Sequence, residues 1–235
     1  MERLDKVISN LTCISRSDAR RLIKIGKVFV DGERVKAFDT KVDEKNEIVV
    51  NGEKVEFAKE IYILMNKSTG VVCDDKSSAP YAVDVLPDAL KRKDLFCVGR
   101  LDKDTTGLLL ITNDGEFSHK VISPKSNVEK CYRATLSEPM SDEGISQIAK
   151  GLTLKDGTEL MPAKVEVVDE DRTTVDFFVM EGKYHQIKRM AGAVGNKVET
   201  LHRKRIGNLN LPDDLEIGQA VKIDKKTAFL ALDKN

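Results

Sequence analysis

Short apolar runs closed by turn-forming residues dominate the chain beyond residue 58. Three of them, residues 61–65, 95–98 and 108–112, have the length and composition of buried strands. Their short, turn-rich connections leave little room for the crossover helices that join parallel strands. We therefore predict an α+β fold for residues 59–235, with a mixed, mostly antiparallel sheet and flanking helices.

Further strands and two helices are predicted toward the carboxyl end of the chain. Further strands are predicted at residues 130–136, 163–168 and 174–179. Helices are predicted at residues 141–150 and 184–194. The Asn-Asp-Gly sequence at 113–115 predicts a turn that closes the third strand.

Residues 1–58 have a different sequence pattern, which predicts a helix and short hairpins. A helix is predicted from about Ser15, a suitable capping residue, to Gly26, with a buried apolar stripe along one side. Two short stretches that alternate around Asp-Gly and Asn-Gly pairs, at residues 28–35 and 47–55, predict hairpins. We therefore assign residues 1–58 to a small separate domain.

Cations line a second face of this helix. Several of them lie one turn apart, where like charges destabilise a helix by a few tenths of a kcal/mol per pair. An anionic partner such as RNA phosphate would explain the arrangement, and a solvated basic face is the alternative. The candidate RNA-binding residues of this stripe are Arg16, Arg20, Arg21, Lys24 and Lys27.

The whole-chain composition limits the kinds of site to consider. The chain has 39 basic and 39 acidic residues, so any nucleic-acid role depends on charge that is segregated along it. Its four cysteines and three histidines are scattered, which argues against metal sites, redox motifs and a Ser/His/Asp triad. We expect the cysteines to be reduced and structural. With no apolar run of membrane-spanning length and no export signal, we expect a cytoplasmic monomer without a membrane partner.

The segment 99–115, G-R-L-D-K-D-T-T-G-L-L-L-I-T-N-D-G, is a polar loop between apolar strands. It holds two carboxylates, Asp102 and Asp104, on a rigid support that suits a functional side chain. An ordinary turn, in which either carboxylate caps the local backbone, explains the same residues. Local physical chemistry leaves both interpretations open.

The amino-terminal motifs resemble the S4 RNA-binding module. They are R-L-D-K at 3–6, S-R-S-D-A-R-R-L-I at 15–23 and G-K-V-F-V-D-G at 26–32. The resemblance implies a domain that binds structured RNA. S4 modules occur in ribosomal proteins, synthetases and modification enzymes, so the module leaves the reaction open.

The rest of the chain resembles the pseudouridine synthases, in particular the RsuA-type branch that acts on ribosomal RNA. The catalytic motif of that family is matched by residues 99–115, and further matches are N-K-S-T-G at 66–70, E-K-C-Y at 129–132, E-G-K-Y-H-Q-I-K-R-M at 181–190 and L-H-R-K-R-I-G at 201–207. The resemblance implies a cofactor-free isomerase, without a metal, that converts a uridine of small-subunit 16S RNA, free or in an assembly intermediate, to pseudouridine. The alternatives are a large-subunit enzyme of the same family and a non-catalytic S4-type ribosome-assembly factor.

The same resemblance assigns three catalytic residues. Asp102 is implied to be the nucleophile, with attack at C1′, attack on the base and assisted glycal formation all open. A water-poor pocket disfavours the charged carboxylate, and Lys188, after His-Gln-Ile, is implied to be the cation that restores it. Tyr132 is implied to stack on the flipped uracil, with proton removal from C5 as a second role.

Further residues are implied to contact RNA around the active site. Basic residues between 183 and 205 are opposed in that segment only by Glu199, which suggests a phosphate track. The candidate contacts are Arg100, Lys183, His185, Gln186, Arg189 and Arg203.

Overall fold

The structure is a computed structural model that describes residues 1–55, 57–58, 60–74 and 78–233. Residue 59, where the second domain was predicted to begin, lies outside the described residues. Within the described residues, no helix is long and apolar enough to cross a membrane.

The amino-terminal unit packs two helices against short strands. Its elements are β1 (Glu2–Arg3), α1 (Leu4–Leu11), α2 (Arg16–Lys24), β2 (Val28–Val30), β3 (Glu33–Arg34), β4 (Lys41–Val42), β5 (Ile48–Val50) and β6 (Glu53–Val55). The strands form a four-stranded sheet in the order β3-β2-β5-β6 and a separate β1-β4 pair. The predicted helix is confirmed as α2, because the Ser15 side chain accepts a hydrogen bond from the backbone N–H of Asp18. Both predicted hairpins are confirmed.

The second unit is built on one large sheet. Its strands are β7 (Tyr62–Lys67), β8 (Phe96–Cys97), β9 (Thr106–Thr112), β10 (Lys130–Leu136), β11 (Leu152–Thr153), β12 (Glu159–Leu160), β13 (Lys164–Val167), β14 (Thr174–Val179), β15 (Val198–Ile206), β16 (Leu209–Asn210) and β17 (Ala220–Ile223). Its helices are α3 (Gly115–Ile122), α4 (Asp142–Ala149), α5 (Gln186–Ala193) and α6 (Lys225–Phe229). The main path of the sheet runs β13-β14-β10-β15-β9-β7-β17, with β8 and β16 at its side. This architecture confirms the predicted α+β class.

One parallel pairing joins the two halves of this otherwise antiparallel sheet. Strands β9 and β15 pair in parallel, with Thr106 opposite His202 and Gly107 opposite Arg203. Gly107 has φ +102°, and a Cβ there would lie 2.6 Å from the Arg203 backbone nitrogen. The backbones can therefore approach this closely only where residue 107 lacks a side chain.

Strand β9 is buried on both faces, which explains its uninterrupted apolar sequence. Leu108 and Leu110 pack into one core beneath α3 and α6. Leu109 and Ile111 pack into the core on the opposite face. The polar loop that precedes β9 is consequently anchored by a strand with little freedom to shift.

Several elements differ from the sequence prediction, among them α3, β15 and α5. The turn predicted at 113–115 is the start of α3, because the Asp114 side chain accepts a hydrogen bond from the Phe117 N–H and caps a helix. The longest strand, β15, was not predicted, since its run of charged residues masks its alternation. Helix α5 begins two residues later than predicted, after His185, whose left-handed backbone (φ +49°) interrupts the helical path.

Candidate active site

Asp102 lies on the loop between β8 and β9, at the junction of the two half-sheets. The loop is held by backbone hydrogen bonds from Thr105 N–H to the Asp102 carbonyl (3.1 Å) and from Gly70 N–H to the Lys103 carbonyl (2.8 Å). The neighbouring Leu101 side chain is buried in the core. The Asp102 side chain itself remains 30% exposed. The loop is thus a fixed support that leaves the Asp102 carboxylate partly exposed to solvent.

Two basic side chains from the α5 region face this carboxylate. The Nζ of Lys188 lies 3.4 Å from Oδ2 of Asp102 and 2.6 Å from Oδ1 of Asp104. Burial alone would lower the pKa of Lys188, but its contacts with Asp104 and Asp102 raise it, so the ammonium stays charged. The same hydrogen bond from Lys188 lowers the pKa of Asp104. The Nε2 of His185 lies 3.6 Å from Oδ1 of Asp102.

The start of α5 is organised by buried hydrogen bonds. The Gln186 amide accepts from the Lys183 N–H (2.9 Å) and donates to Glu181 Oε1 (3.1 Å). Gln186 is 6% exposed, so it holds the turn that places His185 and does not face solvent as an RNA contact would. The ring of His185 stacks on that of Tyr184, with centroids 3.8 Å apart.

Tyr132, on β10, is backed by a buried arginine. The Nη1 of Arg203 donates to the Tyr132 hydroxyl at 3.3 Å, and its Nε donates to the Leu108 carbonyl at 2.7 Å. Arg203 is only 4% exposed. Arg203 was predicted to contact RNA, whereas in this structure its guanidinium lies beneath the tyrosine and out of solvent.

A small cavity of about 70 Å³ lies between the Asp102 loop and the start of α5. Its lining includes Arg100, Asp102, Thr105, Tyr132, His185 and Ile187. The three residues that were predicted to be catalytic thus lie together, with Asp102 and Tyr132 on the wall and Lys188 directly behind Asp102.

The predicted phosphate track between residues 183 and 205 is less basic than its sequence suggests. Folding brings acidic partners from elsewhere: Glu181 lies against Lys183, Asp156 against Arg189, Asp176 against Lys204 and Glu129 against Arg205. In the folded protein these cations are therefore opposed by several acidic residues and not by Glu199 alone. Arg100 is exposed at the cavity.

The basic stripe on α2 has an internal counter-charge that sequence reasoning missed. The fully buried Asp5 carboxylate binds Arg20 (2.8 Å), Arg3 (3.1 Å) and Arg16 (3.2 Å). Burial alone would raise the pKa of Asp5, but hydrogen bonds from these arginines lower it to about 2. The repulsion between Arg16 and Arg20 is thus compensated within the protein. Arg16 and Arg20 still keep about half of their side-chain surface exposed.

Other residues of the stripe are more open to solvent. Arg21 is 73% exposed, and among the described residues its carboxylate neighbour is Asp18, 3.5 Å away in the preceding turn. Lys24 and Lys27 are exposed as well. These three cations are available for an external anion.

Buried Lys67 is a second residue that sequence reasoning assigned no role. Its ammonium donates to the carbonyls of Ser68 (2.9 Å) and Val71 (2.8 Å), within the N-K-S-T-G segment. Burial lowers its pKa, while the nearby side chains of Cys73, Asp104 and Asp102 act in the opposite direction. The Asn-Lys pair in the sequence drew attention to this residue. The fixed conformation of its loop and its position near the active site could be known only from the folded structure.

Family comparisons cover both units of the chain. Residues 61–193 match the family model described as RNA pseudouridylate synthase, and residues 2–49 match that of the S4 domain.

Individual relatives extend over nearly the full length. The chain is 42% identical over 218 residues to the ribosomal small subunit pseudouridine synthase A of Vibrio cholerae. This match covers 92% of this chain and 94% of the relative. It is 39% identical over 232 residues to the uncharacterized RNA pseudouridine synthase YtzG of Bacillus subtilis, which covers 97% of each. A crystal structure of a pseudouridylate synthase superposes with a TM-score of 0.69 at 35% identity, covering 98% of this chain and 100% of that one.

Proposed function

Since the chain belongs to the RNA pseudouridylate synthase family and carries an S4 domain, it is an RNA-modifying isomerase, and we propose that its substrate is a uridine of small-subunit 16S ribosomal RNA. The support is the similarity over nearly the whole chain to relatives named as small-subunit ribosomal enzymes. The sequence resemblance to this family is confirmed by the same matches.

The observation that carries the catalytic assignment is the position of Asp102. It is a partly exposed carboxylate on a fixed loop, 3.4 Å from the Lys188 ammonium and on one cavity wall with Tyr132. In this proposal Asp102 is the nucleophile. The N1–C1′ bond of uridine breaks, a C5–C1′ bond forms, the C5 proton is released and N1 takes a proton, so the reaction is a balanced isomerisation.

The neighbouring residues serve this nucleophile. Lys188 places a positive charge 3.4 Å from Asp102, where it stabilises a carboxylate nucleophile after water is excluded. Tyr132 offers a ring face for stacking against uracil, and Arg203 fixes its hydroxyl from behind. His185, Lys183 and the exposed Arg100 line the cavity, and Arg189 follows Lys188 on α5; in this proposal these four residues contact the RNA backbone.

The uridine must leave its helical stack to reach Asp102, because C1′ and C5 cannot be approached inside a stacked helix. The cavity beside Asp102, with Tyr132 on its wall, is the site that would receive the base. The exposed Arg100 also lines this cavity.

The proposal also assigns RNA binding and catalysis to two different domains. Residues 1–58 bind structured RNA through Arg16, Arg20, Arg21, Lys24 and Lys27, and residues 59–235 perform the isomerisation. The partner is 16S RNA, free or within a small-subunit assembly intermediate, and the enzyme acts as a monomer in the cytoplasm. Large-subunit RNA is the alternative substrate.

Tritium release from RNA labelled at uridine C5 tests the nucleophile. Asp102→Asn keeps the shape of the side chain and should lower tritium release at least about 10³-fold, while RNA binding changes little. Asp104→Asn is the matched control, because it removes the other carboxylate that contacts Lys188. It should keep at least about a tenth of the activity. Full activity in Asp102→Asn would overturn the assignment.

Mapping of pseudouridine in ribosomal RNA tests the substrate. RNA from cells with and without the gene should differ at one uridine of 16S RNA, and the purified enzyme should restore it. A lost modification in 23S RNA would favour the large-subunit alternative. An unchanged map would reject ribosomal RNA as the substrate.

A further inference from the structure

Two cysteines that are distant in the sequence meet beside the active-site loop. Cys97 ends β8, Cys73 follows the N-K-S-T-G segment, and both side chains pack against the same hydrophobic core, close enough for each thiol to shift the pKa of the other. Each is partly accessible to solvent. The backbone N–H of Leu101, the residue before Asp102, donates to the Cys73 sulfur at 3.4 Å. The expectation that these cysteines have only a structural role rested on their separation in the sequence.

The surroundings of the pair favour one thiolate and one thiol. The pKa of Cys73 is lowered by the hydrogen bond from Cys97, by the Leu101 N–H and by the positive charges of Arg203 and Lys67. The hydrogen bond to Cys73 and burial both raise the pKa of Cys97. Arg203 and Lys67 are themselves buried, at 4% and 0% exposure. A thiolate at Cys73 therefore supplies these cations with a negative charge close by.

A small molecule can reach Cys73 from outside. A cavity of about 490 Å³ is lined by Cys73, Asp74, Tyr81 and Arg100, among other residues. Arg100 also lines the cavity at Asp102. Arg100 thus lines both the cavity that holds Cys73 and the cavity that holds the Asp102 carboxylate.

We propose that Cys73 and Cys97 form an oxidation site, in which a small hydroperoxide converts the dithiol to a disulfide and thereby slows the isomerase. The Cys73 thiolate sulfur attacks one peroxide oxygen, the O–O bond breaks, and the leaving hydroxide or alkoxide takes a proton. The sulfenic acid formed at Cys73 is then attacked by the Cys97 sulfur as its thiol proton is lost. The S–O bond breaks, and hydroxide leaves as water. Two electrons pass from the thiols to the peroxide.

The disulfide would affect the active site in two ways. It removes the acceptor of the Leu101 N–H hydrogen bond and so loosens the residue before Asp102. It also removes a negative charge next to Arg203, whose Nη1 holds the Tyr132 hydroxyl. Both the nucleophile and the stacking ring would lose part of their support.

The experiment oxidises the purified full-length protein with hydrogen peroxide and then reduces it with dithiothreitol. Peptide mass mapping should identify a Cys73–Cys97 disulfide, and tritium release should fall at least about fivefold and return on reduction. Cys97→Ser should form no disulfide after brief oxidation and should accumulate a sulfenic acid at Cys73 that dimedone labels. Cys13→Ser is the matched control and should respond as the unaltered protein does.

A second measurement needs no variant. Alkylation of Cys73 by iodoacetamide should have its pH midpoint below that of an ordinary thiol, about 8.5. A midpoint at or above that value, or oxidation without a Cys73–Cys97 disulfide, would overturn the site. A disulfide that leaves tritium release unchanged would overturn the effect on catalysis. Because mass mapping does not depend on activity, failure of the site is distinguishable from failure of the proposed function.

Discussion

Lys188 Nζ lies between two carboxylates, 3.4 Å from Asp102 and 2.6 Å from Asp104, so the proposed nucleophile shares this cation with a second carboxylate. An ammonium can satisfy both carboxylates because its three N–H groups point in different directions. The closer partner, Asp104, is 71% exposed, whereas Asp102 is 30% exposed. Asp104 therefore positions Lys188, and Asp102 is the carboxylate that remains at the cavity.

Substitution of Lys188 tests this arrangement. Lys188→Met removes the charge but keeps most of the side-chain length, and it should lower kcat at least about tenfold, because a desolvated Asp102 loses its counter-charge. Lys188→Arg should retain most of the activity. Lys197→Met, which removes an exposed cation paired with Glu199, is the control and should leave single-turnover rates unchanged. Equal activity of Lys188→Met and the unaltered enzyme would contradict the assigned role.

Tyr132 variants separate stacking from proton transfer. Tyr132→Phe keeps the ring and removes the hydroxyl that accepts from Arg203, so it should keep single-turnover rates within about tenfold if stacking is the main role. Tyr132→Ala should lose activity about 10²-fold or more. A loss in Tyr132→Phe as large as that in Tyr132→Ala would instead assign proton removal to the hydroxyl. Unfolding in urea checks that each variant is folded.

Gly107 tests the close approach of β9 and β15. Gly107→Ala adds a Cβ that would lie 2.6 Å from the Arg203 nitrogen at φ +102°, so it should destabilise the protein by about 3 kcal/mol or more. Gly115→Ala is the matched control, because nothing lies within 4 Å of a Cβ at that helical position. Its unfolding free energy should change by less than about 1 kcal/mol. Urea titration followed by circular dichroism measures both.

Asp5 should make the stability of the amino-terminal domain dependent on acid pH. Its folded pKa of about 2 lies below the unfolded value, so its contribution is complete above about pH 4 and is lost as the pH falls toward 2. The shift corresponds to about 2 kcal/mol. Asp5→Asn should therefore be less stable than the unaltered protein at pH 7, and the difference should shrink toward pH 2. Exposed Asp39→Asn should show no such difference.

The salt dependence of RNA binding tests the basic stripe. Lys24→Gln with Lys27→Gln should weaken binding and reduce the slope of log K against log salt by about 0.7 for each lost single-strand phosphate contact. Both lysines are exposed on the α2 side, so folding should be unaffected. Lys120→Gln, on α3, is the control. An unchanged slope in the double variant would mean that this stripe is a solvated face.

Much of the architecture follows from local patterns. The apolar runs of β7, β9 and β14 and the Ser15 cap of α2 depend on neighbouring residues, so their spacing was sufficient to predict them. Strand β15 and helix α3 were missed because their sequences satisfy local rules for other structures. The charged residues of β15 become strand residues only when β9 and β10 pair with it on both sides.

The loop that carries Asp102 could be predicted from the sequence, because a polar segment between two buried strands is a local feature. The sequence alone also determined the α+β class, the S4 motifs and the family resemblance. The burial of Arg203 and Gln186, the Asp5 cluster, the sharing of Lys188 and the meeting of Cys73 with Cys97 were decided by the tertiary structure. Each depends on groups from distant segments, and the energies of charge pairing and burial are set by distances that exist only after the chain has folded.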